Sequence, residues 1–224
     1  MNSSLKRFER KWIYYNNDHF TLINELLRSK LFFNFNYPKR RVNSIYFDDS
    51  INSSVIENLE GNSKKKKIRI RWYGKQNKLL NPILEIKHKK GYESKKEFFK
   101  MEKLNDLEFP NLKSLNIITN TINNYFKNNK VFYPIVTTSY DREYLISNSY
   151  KIRATVDYNL KSIYLKNYSQ LDITRNYSSC ILELKYSLKQ DNYVRRNLRD
   201  ITLRMSKNSK YINSIFEVPS FISS

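Results

Sequence analysis

The sequence predicts an α+β fold: a closed antiparallel β-barrel with flanking helices. Eight segments rich in β-branched and aromatic residues read as strands, near 5–15, 42–48, 64–74, 81–89, 93–101, 131–147, 150–165 and 178–187. Their connections are hairpin-like instead of strand–helix–strand, which favours antiparallel pairing. The third observation is charge on alternate residues. Seven stretches carry it: Arg7-Phe8-Glu9-Arg10-Lys11, Lys67-Ile68-Arg69-Ile70-Arg71, Glu85-Ile86-Lys87, Tyr140-Asp141-Arg142-Glu143, Lys151-Ile152-Arg153-Ala154-Thr155-Val156-Asp157, Glu183-Leu184-Lys185 and Lys207-Asn208-Ser209-Lys210. Residues two apart in a strand share a face, so Ile68, Ile70 and Trp72 point away from Arg69 and Arg71. Leu182, Leu184 and Tyr186 likewise point away from Glu183 and Lys185. An open sheet would leave such a face in water, where nothing requires the charges to be so similar from strand to strand. A closed barrel turns it into a lumen, and a lumen lined by Lys and Arg suits a polyanion.

Helical periodicity appears in three places. After Asn17-Asp18, a natural N-cap, Phe20, Ile23, Leu26 and Leu27 form one face. Beyond Pro110, Leu112, Leu115, Thr119, Ile122 and Phe126 form a second. Near the C-terminus Val194, Leu198, Ile201 and Met205 stand at helical spacing, with Arg195, Arg196, Arg199 and Arg204 largely off that face. Residues 50–60 read as a short helix or loop. The Lys64 to Lys67 run opens a strand, and its first lysines read as a solvated rim. His88 alternates away from Lys87 and reads as structural. Cys180, beside Ile181 in an apolar strand, reads as a small core residue.

With 224 residues, 40% of them hydrophobic, the chain suits a single domain with a substantial core. Its 41 basic residues against 21 acidic give a net charge of +20, which favours phosphate-rich partners. A lone cysteine forms no internal disulfide, so no oxidising compartment is implied. No run of about 18 apolar residues and no secretory signal occur, so a soluble, cytoplasmic protein is expected. The three glycines, Gly61, Gly74 and Gly91, exclude glycine-rich phosphate loops, so any phosphate site is built from side chains. Two histidines and one cysteine leave no zinc cluster, while a hard cation held by Asp or Glu remains open.

In chain order, Ser44-Ile45-Tyr46-Phe47-Asp48, Ile68-Arg69-Ile70-Arg71-Trp72-Tyr73-Gly74, Leu84-Glu85-Ile86-Lys87-His88, Tyr140-Asp141-Arg142, Lys151-Ile152-Arg153, Leu182-Glu183-Leu184-Lys185 and Lys207-Asn208-Ser209-Lys210-Tyr211 resemble one family. It is the VTC domain, the catalytic polyphosphate polymerase module of the vacuolar transporter chaperone complex and its prokaryotic relatives, among the triphosphate tunnel metalloenzymes. The resemblance spans about residues 6 to 212. It implies an eight-stranded tunnel whose inner basic side chains hold nucleotide and polyphosphate. It implies catalytic roles for Arg69, Arg71, Lys87, Arg142 and Arg153. It further implies phosphate or nucleotide binding by Lys11, Lys185, Lys207, Ser209 and Lys210. Glu183 matches the metal-ligand glutamate, for Mn²⁺ or Mg²⁺.

The chemistry of these residue types agrees. Phosphoryl transfer spreads charge over the equatorial oxygens, so catalysis is largely positioning and neutralisation. Arginine supplies a planar fork matched to phosphate, lysine a compact point charge. Cations crowded on one face repel each other unless a polyanion or carboxylates offset them. Glu9, Glu85, Asp157 and Glu183 are the carboxylates on those faces. Glu183 reads as a metal ligand or as the ion-pair partner of Lys185, Glu9 and Glu85 stay open between those roles, and Asp157 leans structural. The expected activity is transfer of the γ-phosphate of ATP onto a growing inorganic polyphosphate chain. The alternatives are a tripolyphosphate or nucleotide phosphohydrolase of the same fold, or a nonenzymatic binder of polyphosphate or nucleic acid. Nucleic acid is disfavoured because the basic residues share strand faces with carboxylates.

Overall fold

The computed structural model describes residues 7–14, 18–91, 93–127, 130–149, 151–166, 170–198, 204–205 and 209–216. In chain order they form β1 (Arg7–Tyr14), α1 (His19–Arg28), β2 (Asn34–Asp49), α2 (Ser53–Leu59), β3 (Lys64–Tyr73), β4 (Ile83–Lys90), β5 (Glu93–Lys100), α3 (Leu112–Phe126) and β6 (Phe132–Ser147). Then come β7 (Ile152–Lys166), β8 (Gln170–Asn176), β9 (Cys180–Ser187), α4 (Asp191–Asn197), β10 (Arg204–Met205) and α5 (Lys210–Phe216). Hydrogen bonds order the strands β10-β1-β9-β7-β6-β2-β3-β4-β5, with β8 beside β7. Every register described is antiparallel.

Among the described residues that order has two ends, so the sheet is open and the predicted closed barrel is not formed. One end, β10, offers only two residues, which pair with Trp12 and Ile13. The other, β5, is mostly exposed and carries Lys95, Lys96 and Lys100, the kind of charged edge that resists further strand pairing. The α+β class and the antiparallel sheet with attached helices are as predicted.

The described residues cluster into two compact units. The first is drawn from Met1–Arg40, Tyr140–Leu160 and Asn176–Asn208; the second from Arg41–Ser139, Lys161–Arg175 and Ser209–Ser224. In the first, the alternate residues Leu182, Leu184 and Tyr186 of β9 join Ala154 and Val156 of β7 and Trp12 of β1 in an apolar layer. Helix α1 covers it with Leu22, Ile23 and Leu26. Asp18 starts that helix by accepting hydrogen bonds from the backbone N–H groups of Phe20 (3.0 Å) and Thr21 (3.1 Å). Cys180 lies fully buried in this layer, and burial pushes its thiol pKa up to about 11.

In the second unit, Ile68, Ile70 and Trp72 of β3 pack with Ile45 and Phe47 of β2 and Leu84 and Ile86 of β4 beneath Leu115, Ile118 and Ile122 of α3. Each such side chain contributes about 1.5–3 kcal/mol by leaving water. Asn111 and Ser114 cap α3 reciprocally, which is why the helix starts just after Pro110. Since Ile68 and Ile70 face this core, strand alternation fixes Arg69 and Arg71 on the opposite face.

The predicted C-terminal helix is shorter than its periodicity suggests. Helix α4 ends at Asn197, and Met205 instead pairs with Trp12 on the edge of β1, while Ile201 lies outside the described residues. Strand β2 begins at Asn34, well before the predicted residue 42, and its first seven residues are exposed. No helix among the described residues is long and apolar enough to cross a membrane.

Candidate functional site

On the polar face of the first unit, strand register sets charges in rows. Glu9 lies opposite Lys185, and Lys185 opposite Arg153. One step along, Lys11 lies opposite Glu183, and Glu183 opposite Thr155. Opposite charges therefore meet both across and along the strands. The Lys11 ammonium is 3.6 Å from Glu9 and 3.4 Å from Glu183, whose other oxygen holds Lys185. Burial would raise the Glu183 pKa, but Lys11, then Lys185 and Arg142, hold it well below the usual carboxylate range. Burial would likewise lower that of Lys11; Glu183 and Glu9 outweigh it, and the net shift is upward.

Arg142 grips the fully buried Asp157 through both arms of its guanidinium, Nε to Oδ1 at 2.5 Å and Nη2 to Oδ2 at 2.7 Å. Despite the opposing effect of burial, that carboxylate raises its pKa well above the ordinary arginine value. Arg153 is exposed and has no ion pair among the described residues. The Thr155 hydroxyl, buried one row along, has no hydrogen-bond partner among the described residues.

The polar face of the second unit is organised differently. Arg69 binds Glu85 through Nε (2.7 Å) and Nη2, while Arg71 reaches the other oxygen of the same carboxylate at 3.1 Å. Burial would raise the pKa of Glu85, but Arg69 and then Arg71 bring it below the usual range. Arg69 also donates to the Tyr46 hydroxyl at 3.3 Å. Tyr46 stacks on Tyr211 of α5 at 5.0 Å, and Tyr211 donates to the buried Asp48 at 2.8 Å. Asp48 in turn accepts the backbone N–H groups of Ser54 and Val55 at the start of α2.

Beyond this cluster, Lys67, Lys87 and Lys96 lie directly opposite one another on three adjacent strands. Like charges in register destabilise a sheet, so the row favours an anion. The Lys67 ammonium donates to Ser209 at 2.9 Å, just before Lys210 opens α5. Buried polar atoms are nearly always paired, yet Arg71 Nε and the hydroxyl of Ser44, opposite it in register, are not.

The profile of the VTC domain matches residues 6–218. The chain belongs to the VTC domain family. Three solved structures share the fold of this VTC domain at low sequence identity. A candidate adenylate cyclase from Bacillus halodurans has a TM-score of 0.54 at 14% identity, covering 94% of this chain and 99% of its own. A candidate adenylyl cyclase from Hippeastrum, with a dominant triphosphatase activity, has a TM-score of 0.51 at 10% identity, covering 92% and 93%. One from Vibrio parahaemolyticus has 0.50 at 13%, covering 92% and 98%. Among curated proteins there is no match.

The VTC domain thus brings Lys11, Glu183, Lys185 and Arg153 together on one polar face, with Arg142 held by Asp157. It brings Arg69, Arg71, Lys87, Ser209 and Lys210 into the second unit, and Lys207 lies outside the described residues. Sequence reasoning singled out neither Lys96 nor the Tyr46–Tyr211 stack. Tyr46 carried a signal, because it alternates with Ile45 and Phe47. Lys96 carried none, because only the β4–β5 register aligns it with Lys87. Among the described residues no three His, Cys, Asp or Glu side chains converge on a metal site. Glu9 and Glu183 share the Lys11 ammonium.

Proposed function

We propose that this VTC domain is a metal-dependent polyphosphate polymerase, transferring the γ-phosphate of ATP onto a growing inorganic polyphosphate chain. The observation that carries the reading is the second unit's polar face. On β3, β4 and β5, Lys67, Arg69, Arg71, Lys87, Lys96 and Lys100 share it with one carboxylate, Glu85. Such a face is stable chiefly against a dense polyanion.

In this reading Arg69 and Arg71 exchange part of their hold on Glu85 for phosphate oxygens, and their planar forks fix the transferring group. Lys87, with Lys67 and Ser209 beside it, neutralises charge that spreads during transfer. Arg142 keeps its orientation through Asp157, while Arg153 is free to reach a ligand. Lys11, Lys185 and Lys210 supply further positive charge, as would Lys207. Glu183, with Glu9 beside it, would hold Mn²⁺ or Mg²⁺, which when bound would supply Lewis-acid neutralisation of phosphate charge. The end of a polyphosphate chain is already an anionic nucleophile, so no general base is needed.

A second reading is a triphosphatase, favoured by the activity of the Hippeastrum structure. The two differ in acceptor. Purified protein incubated with ATP and Mn²⁺ should release ADP and build a ladder on a polyphosphate gel. Free phosphate without a ladder would establish the hydrolase instead, and ATP binding without either product would overturn both.

A further inference from the structure

Beyond the faces described above, the second unit carries a cleft of about 320 Å³ where β3 starts, β4 ends and β5 starts. Six lysines line it: Lys64, Lys65, Lys66, Lys89, Lys90 and Lys95. Lys64 lies directly opposite Lys90, and Lys65 directly opposite Lys89. No ion pair or hydrogen bond among the described residues reaches the ammonium groups of these four. Two carboxylates, Glu57 and Glu93, stand among the six lysines and leave the cleft strongly cationic; Glu57 accepts the backbone N–H of Lys66 at 3.3 Å. Only Glu93 lies opposite a lysine of the cleft, Lys90. The Lys66 ammonium sits over the ring of Phe126 at 4.5 Å, and burial lowers its pKa.

A bland explanation would be edge protection, in which lysines keep a sheet from pairing further. It does not fit here, because β3 and β4 both have neighbours on each side. The geometry points to a second polyanion site, and we propose that this cleft binds the inorganic polyphosphate chain away from its reacting end. The proposal rests on the polyphosphate reading above and adds a place for the product. Lys65 and Lys89 extend, at two-residue steps of about 6.7 Å, the rows holding Arg69 and Lys67 on β3 and Lys87 on β4. A linear polyanion can follow those rows into the cleft. Nucleic acid fits less well, because His88 is the one aromatic ring among the described lining residues, and a single ring directed at Glu97 (3.9 Å) is a poor stacking platform for successive bases.

The test compares binding of long-chain polyphosphate and of tripolyphosphate to wild type and to the double variant Lys64→Gln/Lys90→Gln. Tripolyphosphate is too short to span the reacting centre and the cleft together. The affinity for long chains should fall about tenfold, and that for tripolyphosphate by less than about twofold. The melting temperature should not fall, because the variant loses a like-charge pair; Lys65→Gln/Lys89→Gln repeats the measurement independently. Unchanged long-chain binding in both folded variants overturns the site, as does equal loss for both ligands. So does a single-stranded oligonucleotide of matched charge that binds wild type as tightly and loses as much. Polyphosphate synthesis by wild type is scored separately. A wild type that makes no polymer but shows the chain-length difference keeps the cleft and loses the polymerase, and a productive wild type without that difference loses only the cleft.

Discussion

The two polar faces use similar side chains to opposite ends. On β1, β9 and β7 every described register pair that joins two charges sets a carboxylate against a lysine, apart from Lys185 and Arg153. On β3, β4 and β5, lysine faces lysine in row after row, and two arginines share one glutamate. The first face is nearly neutral, and its carboxylates are held by its own cations. The second sets more cations than carboxylates on three adjacent strands. Substitutions on the first face should therefore mainly lower stability, and those on the second should mainly lower anion binding.

The largest effect expected is from Arg69→Ala. Glu85 keeps Arg71, so the fold should hold, while ATP turnover should drop about 100- to 1000-fold, equivalent to ~3–4 kcal/mol of lost stabilisation of developing charge. Steady-state kinetics with a thermal melt checks both halves. Near-normal turnover would remove Arg69 from the site and break the contrast on the side of the second unit.

Glu183→Gln tests the opposite face. Lys11 and Lys185 would lose their shared partner while partly buried, and the protein should lose ~2–3 kcal/mol, measured by denaturant unfolding. Activity should also lose its Mn²⁺ dependence if Glu183 holds the ion. Titration curves superimposable on wild type would transfer that role to Glu9.

A smaller and more graded effect is expected with acid. Glu183 and Glu85 both have folded pKa values below their unfolded ones, so each favours the folded state at neutral pH. That contribution is full above the ordinary carboxylate range and fades as pH falls through the depressed folded values. Stability followed by circular dichroism should therefore decline below about pH 4. In Glu183→Gln the decline should be shallower, because one of the two titrations is gone.

The smallest effect separates the faces by sign. Lys89→Gln removes a like-charge contact with Lys65 and should stabilise the protein by about 0.2–0.5 kcal/mol in low salt. Added salt should erase the gain. A loss of stability would show that the second face is balanced by its own surroundings.

These contrasts also explain what the sequence could reveal. Alternation is a local property, so the division between Ile68–Ile70 and Arg69–Arg71, or Leu184 and Glu183, was legible from spacing alone. So were the helix after Asp18 and the one after Pro110, whose caps lie within three residues. Pairing is not local. Whether Glu183 meets Lys11 or Lys185, or whether Lys87 is flanked by two lysines, depends on registers that join residues far apart in the chain. Closure of the sheet depends on how its two terminal strands end; the lysines of β5 were compatible with an open edge, but in the sequence they read equally as part of a basic lumen. The Met205 error has the same origin: helical spacing from Val194 was real, but an unpaired edge of β1 competed for that segment.

The buried cysteine gives the first unit a built-in clock. Cys180 is the chain's one thiol, wholly enclosed between strands and α1, with its pKa pushed up to about 11. An alkylating reagent at neutral pH can modify it only in molecules whose layer has opened, so the labelling rate counts openings without any engineered probe. A ligand that slows the labelling is one whose binding is felt in the first unit's interior, whichever face it touches.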